Sequence, residues 1–241
     1  MMTKKNIITI NQVNKTYQVG GQPLHALNNI QLNIKQGEYI SLMGASGSGK
    51  STLLNMIGLL DRPDSGQYQL LGTSTENLSE EKRALLRRQH IGFVFQSFHL
   101  IPRLTALENV ELPLMLSGIE PEIRRKKAKK ILAELGLEKH FQQSPKQLSG
   151  GQLQRVGIAR ALITNPKILL SDEPTGNLDQ ASGREVTNIL ERYNNTGITL
   201  IVVTHDISLG SRAIRKLSML DGKIVKDINS FSTMESAHET C

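Results

Sequence analysis

Gly44-Ala45-Ser46-Gly47-Ser48-Gly49-Lys50-Ser51-Thr52 decides the fold. The stretch fits G-x-x-x-x-G-K-[ST], a loop built to hold nucleotide phosphates. Glu38–Met43 ahead of it read as a short strand, and Thr52–Ile57 behind it as the start of an apolar helix. Strand, glycine loop and helix form the context that this pattern requires. Gly44, Gly47 and Gly49 lack a Cβ, so the backbone can curl and bring N–H groups onto an anion. The following helix points its positive end at the same place. Lys50 is placed to reach the β- and γ-phosphates, and the Ser51 hydroxyl to ligate Mg²⁺. The other reading is a plain glycine-rich turn before a helix; the full pattern in its full context argues against it.

The 241 residues suffice for one large domain, or for one core with a subdomain. Hydrophobic residues make up 38%, and no apolar run approaches the roughly 20 residues that span a bilayer. The basic start Met1–Asn6 is not followed by an apolar segment of signal-peptide length, so a cytosolic chain is expected, dissolved or docked. The single cysteine, Cys241, excludes an internal disulfide and a cysteine metal site. Histidines 25, 90, 99, 140, 205 and 238 show no metal-ligand spacing. The net charge of +7 suggests a polyanionic neighbour (nucleic acid, anionic lipid or nucleotide) without choosing among them.

Residues 7–35 alternate apolar and polar, which predicts short, antiparallel, half-buried strands turning at Gly20-Gly21. Tyr17 ends the first of them. It could stack on an adenine ring, but aromatics are common in strands, and locally the plain reading is favoured. Gly58–Gly66 marks a helix stop and turn, Gln67–Leu71 a strand, and Ser79 the cap of a helix running to Arg88. Ile91–Phe95 is a continuous apolar run, as in a strand buried on both faces.

Beyond Gln96 no strand signal appears up to residue 165. Thr105 is a candidate helix cap, and Pro121 starts another helix that stops at Gly136. Residues 97–158 therefore read as a helical subdomain inserted in an α/β core. The run Arg124–Lys130 reads first as a solvated helix face and second as a contact for anionic lipid or an acidic partner. Leu148-Ser149-Gly150-Gly151-Gln152 opens a helix from Leu153 to Ile163, a second anion-type helix end about a hundred residues after the first. One compact site could hardly use both ends on one γ-phosphate, so the second is assigned to a second chain's nucleotide.

Ile168–Glu173 is a buried strand ending in two acids, at the edge where open α/β sheets bind ligands. Asp172 is placed for Mg²⁺, directly or through water, and Glu173 to orient or deprotonate a water. The competing reading is two acids making a loop contact. Leu200–Asp206 repeats the form and puts His205 at the same edge, while Lys216–Leu220 and Lys223–Ile228 read as a hairpin. Residues 229–241 read as a loose tail.

Together these motifs resemble the nucleotide-binding subunit of ATP-binding-cassette (ABC) transporters, over about residues 6–228. Gly44–Thr52 matches the Walker A loop, Gln96 the Q-loop glutamine and Leu148–Gln152 the signature. Ile168–Asp172 with Glu173 matches Walker B and the catalytic glutamate, Gly176–Asp179 the D-loop, His205 the switch histidine and Tyr17 the A-loop aromatic. This last match overturns the plain reading of Tyr17. Three strings, Ile91–Phe98, Leu104–Val110 and Asp172–Asp179, resemble the group of macrolide exporters, lipoprotein-release ATPases and the cell-division transporter ATPase, and a bacterial source is expected from that group alone. Ser171, Leu153 and Gly157 depart from the pattern without touching a reacting group.

The resemblance implies an α/β fold: a RecA-like P-loop core, an N-terminal antiparallel β subdomain and an inserted helical subdomain. It implies an ATPase using ATP and Mg²⁺ in a head-to-tail dimer of two copies. ATP would lie on Tyr17 and on Gly44, Ala45, Ser46, Gly47, Ser48, Gly49, Lys50, Ser51 and Thr52 of one copy. Ser149, Gly150, Gly151 and Gln152 of the other would close on it, with Asp179 in the D-loop beside them. Glu173, His205, Gln96 and Lys50 would carry hydrolysis; Ser51, Gln96 and Asp172 would hold the metal. A separate integral membrane permease is expected, docked near Gln96–Leu104, with the chain on the inner face of the cytoplasmic membrane and no nucleic acid partner. Two other readings stay open: a soluble ABC-type ATPase acting on nucleic acid or ribosomes, and a mechanical role that moves a membrane partner without transport.

Overall fold

The computed structural model describes residues 5–229. The tail from 230 on, including His238 and Cys241, and residues 1–4 at the basic start lie outside that range. In chain order the elements are β1 (Asn6–Val19), β2 (Gln22–Lys35), β3 (Tyr39–Gly44), α1 (Lys50–Ile57), β4 (Ser65–Leu70) and β5 (Thr73–Ser74). Then come α2 (Glu80–His90), β6 (Ile91–Phe95), α3 (Ala106–Met115), α4 (Pro121–Glu134), α5 (Gly150–Leu162) and β7 (Ile168–Asp172). The chain closes with α6 (Gln180–Asn194), β8 (Thr199–Val203), α7 (Ile207–Ser211), β9 (Arg215–Leu220) and β10 (Lys223–Asn229). It divides into two units, one up to Ala84 with everything from Thr199 on, the other Leu85–Ile198.

In the first unit, β2, β1, β4 and β5 form an antiparallel sheet in that order. Its register aligns Ile8 with Ile34 and Leu70, and Ile10 with Leu32 and Tyr68, so one apolar face is continuous and buried. The alternation in residues 7–35 belongs to two 14-residue strands, longer than the short strands expected, and irregularities in the pairing between Ile10 and Val13 and on to Thr16 interrupt its period of two. Gly20 (φ 59°) and Gly21 (φ 81°) supply the doubly left-handed turn of a tight hairpin. Tyr17 stands two residues before the strand's end. A second layer has β3 at its centre, parallel to β8 and to β9, with β10 antiparallel to β9. β3 and β8 are almost wholly apolar, as strands covered on both faces must be. The second strand of the hairpin reaches Asn229, one residue past the sequence reading.

In the second unit β6 and β7 run parallel, with Phe95 level with Asp172. Ile91, Gly92 and Val94 are buried, but Phe93 and Phe95 are only half-buried. Their rings stack at 5.5 Å and line an open cavity, so the expectation of burial on both faces holds for one face alone. Thr105 caps α3 through a reciprocal pair with Glu108, and Pro121 occupies the first turn of α4. The basic run of α4 is not simply a solvated face. Its first two arginines, Arg124 and Arg125, bond the buried Glu111 carboxylate of α3 at 3.4 and 3.2 Å.

Candidate functional site

The phosphate loop belongs to the first unit. β3 delivers Gly44 at its C-terminal end, and α1 begins at Lys50, two residues earlier than the sequence reading, so Lys50 and Ser51 lie in the helix's first turn. Gly49 caps that helix in the left-handed region (φ 99°), where a Cβ would stand 2.3 Å from the Ala26 carbonyl oxygen. Glycine is therefore required there both by conformation and by space. The Lys50 ammonium folds over the loop and donates to the carbonyls of Gly44 (2.9 Å) and Ala45 (2.8 Å). Ala45, Ser46, Gly47 and Ser51 are exposed; Ser48 is buried, and its hydroxyl lacks a hydrogen-bond partner. A turn of the β9–β10 hairpin braces the loop from behind: the Gly222 N–H donates to the Ser48 carbonyl (3.1 Å), and the Gly222 carbonyl accepts from Asn28 (2.9 Å).

Two other candidates stand in the same unit. Tyr17 is half-buried, and the Thr52 hydroxyl of α1 lies within hydrogen-bonding reach of it. Its phenol donates to Asp61. His205 is exposed two residues past β8, whose Val203 pairs with Leu42 of β3. The phosphate loop and His205 thus lie beyond the C-terminal ends of neighbouring parallel strands, where this architecture places ligands.

The carboxylates belong to the second unit. The β6–β7 register sets Gln96 beside Glu173 at the ends of adjacent parallel strands. Asp172 closes β7, and Glu173 follows with a left-handed backbone (φ 47°). Non-glycine residues in that region carry strain that only firm surroundings hold, and such strain gathers at functional sites. Asn177 clasps the Q-loop: its side-chain N–H donates to the Gln96 carbonyl (3.1 Å), and its oxygen accepts from the Gln96 amide (3.4 Å). Asp179 caps α6, accepting from the N–H groups of Ala181 and Ser182, and the Ser182 hydroxyl and N–H hold its carboxyl below the usual range. Ser149 caps α5 reciprocally with Gln152, so the signature glycines lie inside the first turn, three residues before the expected start at Leu153. Ser149 is exposed, and a Cβ on Gly151 would stand 2.8 Å from the Ser182 hydroxyl, which ties the signature to the start of α6.

Sequence reasoning missed four residues. Asp61 and Lys15 fix Tyr17. Gln154 of α5, fully buried, donates to the Pro174 carbonyl (2.8 Å) directly after Glu173. Arg160 of α5 donates to the carbonyls of Phe98 (2.9 Å) and His99 (2.6 Å). The available signal for Gln154 was a polar residue on the inward stripe it shares with Ile158 and Ala161. Phe93, Phe95, His99, Pro113 and Arg160 line a cavity of about 360 Å³ next to Gln96. A larger one, about 520 Å³, between α4 and the end of α6 contains none of the site residues.

A phosphate loop at a strand–helix junction and a β-strand ending in Asp-Glu define a P-loop nucleotide-binding cassette. A family profile described as "ABC transporter" matches residues 27–176, and the chain belongs to that family. The macrolide export ATP-binding/permease protein of Bartonella quintana is 46% identical over 222 residues, which are 92% of this chain and 34% of that protein. The chain thus spans about a third of the length of such export relatives. An ABC transporter ATP-binding protein of Methanocaldococcus jannaschii, MJ1508, is 51% identical over 223 residues and is covered completely. Among solved structures, the cassette MJ0796, a dimer in a post-hydrolysis state bound to ADP and Pi, superposes with a TM-score of 0.86 at 45% identity, covering 92% of this chain and 98% of that one. The fold is therefore that of the ABC cassette, with a β subdomain, a mixed core sheet and a helical subdomain, as the resemblance implied. Among the described residues no helix is long and apolar enough to cross a membrane.

Proposed function

We propose that the chain binds and hydrolyses ATP as one half of a head-to-tail dimer and drives a membrane permease docked at its helical subdomain, residues 97–158. The carrying observation is the Lys50 ammonium drawn over an exposed loop whose helix begins at Lys50 and Ser51. A free phosphate can replace the two loop carbonyls on that ammonium without moving the backbone. Tyr17, held in place, offers a ring to adenine.

The metal donors fit Mg²⁺. The Ser51 hydroxyl, the Asp172 carboxylate and the Gln96 amide oxygen are all hard oxygen ligands. Bound there, Mg²⁺ would neutralise phosphate charge. Glu173 orients and deprotonates the attacking water from a backbone held in a strained conformation, and His205 positions the γ-phosphate and water. Ser149, exposed, and the backbone of Gly151 of a second copy supply the helix end that completes the anion site. The cavity beside Gln96 receives a segment of the permease, at the inner face of the cytoplasmic membrane. Export is the work that the names of the macrolide-export relatives suggest; a mechanical role uses the same cycle. The net charge of +7 favours a second reading, an ATPase acting on nucleic acid or ribosomes.

The test is Glu173→Gln, purified from host membranes with ATP and Mg²⁺. The variant should keep ATP binding, remain a dimer on size exclusion, lose turnover about 100-fold or more, and bring a permease with it. Full turnover sinks the role of Glu173. Nucleic acid or ribosomes without a membrane protein sink the transporter reading.

A further inference from the structure

Both hydrolytic loops of the second unit contain strained backbone. Phe98 (φ 59°) and His99 (φ 48°) are consecutive left-handed residues two positions past Gln96, and Glu173 (φ 47°) is itself left-handed. None is glycine, so each conformation persists only where neighbours hold it. Within the turn, the Phe98 N–H reaches the Phe95 carbonyl at 3.3 Å, the His99 N–H closes a tight turn on Ser97, and the His99 ring lies 4.6 Å from that of Phe95; the carbonyls of Phe98 and His99 are held from outside the turn.

The same helix fastens both loops. Arg160 forks onto the Phe98 and His99 carbonyls at 2.9 and 2.6 Å, and Gln154 donates to the Pro174 carbonyl at 2.8 Å. Six residues separate these two side chains on α5, which places them roughly 9 Å apart along the axis and about 120° around it. They therefore reach two different loops from one rigid rod. The rod's first turn is the signature, capped by Ser149.

We propose that α5 is the splint that sets Gln96 and Glu173 together, with Arg160 positioning Gln96 through the Phe98–His99 turn and Gln154 positioning Glu173 through the Pro174 carbonyl. A shift of the Ser149 end is carried to both loops at once, so engagement of the signature by a second copy's nucleotide biases the hydrolytic groups of its own copy. Arg160 and Gln154 are positioning residues; neither touches a reacting atom. The inference rests on the roles given above to Gln96 and Glu173.

The test compares Arg160→Met, Arg160→Lys and Gln154→Met in the full chain, with melting temperature, ATPase kinetics and amide hydrogen exchange measured on each. Misplacing a catalytic loop by about 1 Å is enough to lower kcat about 10-fold or more, while KM for ATP should stay within about twofold because the phosphate loop is untouched. Exchange should quicken at Phe98 and His99 in Arg160→Met, and at Gly176, whose N–H bonds the Glu173 carbonyl, in Gln154→Met. Arg160→Lys, able to hold one of the two carbonyls, should fall between. His99 is exposed, and its ring contact is with Phe95 at 4.6 Å, so adding His99→Gly to Arg160→Met relieves the left-handed strain for the loss of that one contact and should restore part of kcat. Unchanged exchange at an unchanged melting temperature overturns the inference, as does a lost kcat that His99→Gly leaves unrepaired. If Glu173→Gln turns over normally, the catalytic reading fails instead, and the exchange measurements still decide whether α5 holds the two loops.

Discussion

The Tyr17 phenol donates to the Asp61 carboxylate, and Lys15 completes the clamp. The Lys15 ammonium pairs with Asp61 at 2.9 Å and lies 5.2 Å from the centroid of the Tyr17 ring. The ring is thus fixed at its tip and has a cation over one side; the proposed function stacks adenine on the other. Asp61→Ala removes the tip contact. One hydrogen bond is worth about 1 kcal/mol, so KM for ATP should rise about fivefold with kcat within twofold. Tyr17→Ala removes the stack itself, about 1–3 kcal/mol, and should raise KM roughly 5- to 150-fold. An unchanged KM in Tyr17→Ala would mean that adenine lies elsewhere.

The same clamp sets a pH dependence. Burial pushes the Asp61 carboxyl up, but hydrogen bonds from Tyr17, Lys15 and the Arg62 N–H, with the Lys15 charge, outweigh it and hold the group below its ordinary value. A folded-state value below the unfolded one, about 3.9, makes the carboxylate's contribution complete above that pH and lost as pH falls through the lowered value. Burial, then the Asp61 hydrogen bond and charge, push the Tyr17 phenol up, so its contribution is complete below about pH 10 and is lost above. The stability difference between wild type and Asp61→Ala, read by urea unfolding, should be flat from about pH 5 to 9 and shrink below about pH 4. A difference that shrinks between pH 6 and 8 would mean that another group holds Tyr17.

Gly176 gives Gln96 its room. A Cβ at Gly176 would stand 2.6 Å from the Gln96 side-chain nitrogen and 3.2 Å from its amide carbon. The alanine methyl must therefore push the amide off Asn177. Gly176→Ala should lower kcat about 10-fold with ATP binding preserved, measured by single-turnover hydrolysis against nucleotide titration. Wild-type kcat in this variant would show that the position of the Gln96 amide does not limit hydrolysis.

Much of this arrangement was legible because it is local. The phosphate loop, the Ser149 and Thr105 caps and the Asp172-Glu173 strand end each occupy a few consecutive residues, and local chemistry dictates their shape. Helix starts were misjudged by two residues at Lys50 and three at Gly150, because glycines in a first turn read as loop while cap and backbone bonds hold them helical. The half-exposure of Phe93 and Phe95 was hidden, since an apolar run carries no record of which face a neighbour covers. Asp61, 44 residues from Tyr17, and Arg160, 61 from His99, are linked only by the folded chain. Pairings at that separation leave no periodic trace in one sequence. The Arg124–Lys130 run is a solvated face over most of its length, with Arg125, Lys126, Lys127, Lys129 and Lys130 exposed, but its pairing with the buried Glu111 was hidden for a related reason: that carboxylate belongs to another helix.

Gly157 lies in the middle of α5, where glycine lowers helix stability by roughly 0.5–1 kcal/mol relative to alanine. Nothing in its surroundings demands the smaller residue. An alanine Cβ would meet the Phe98 carbonyl oxygen at 3.7 Å, an ordinary contact, and the backbone there is helical. Gly157→Ala should therefore stabilise the chain and raise its melting temperature by about 1–4 °C, at the roughly 2–4 °C per kcal/mol expected for a chain of this size. A lowered melting temperature would mean that α5 and the Phe98 turn are packed more tightly than 3.7 Å allows, and that the turn gives way before the helix does.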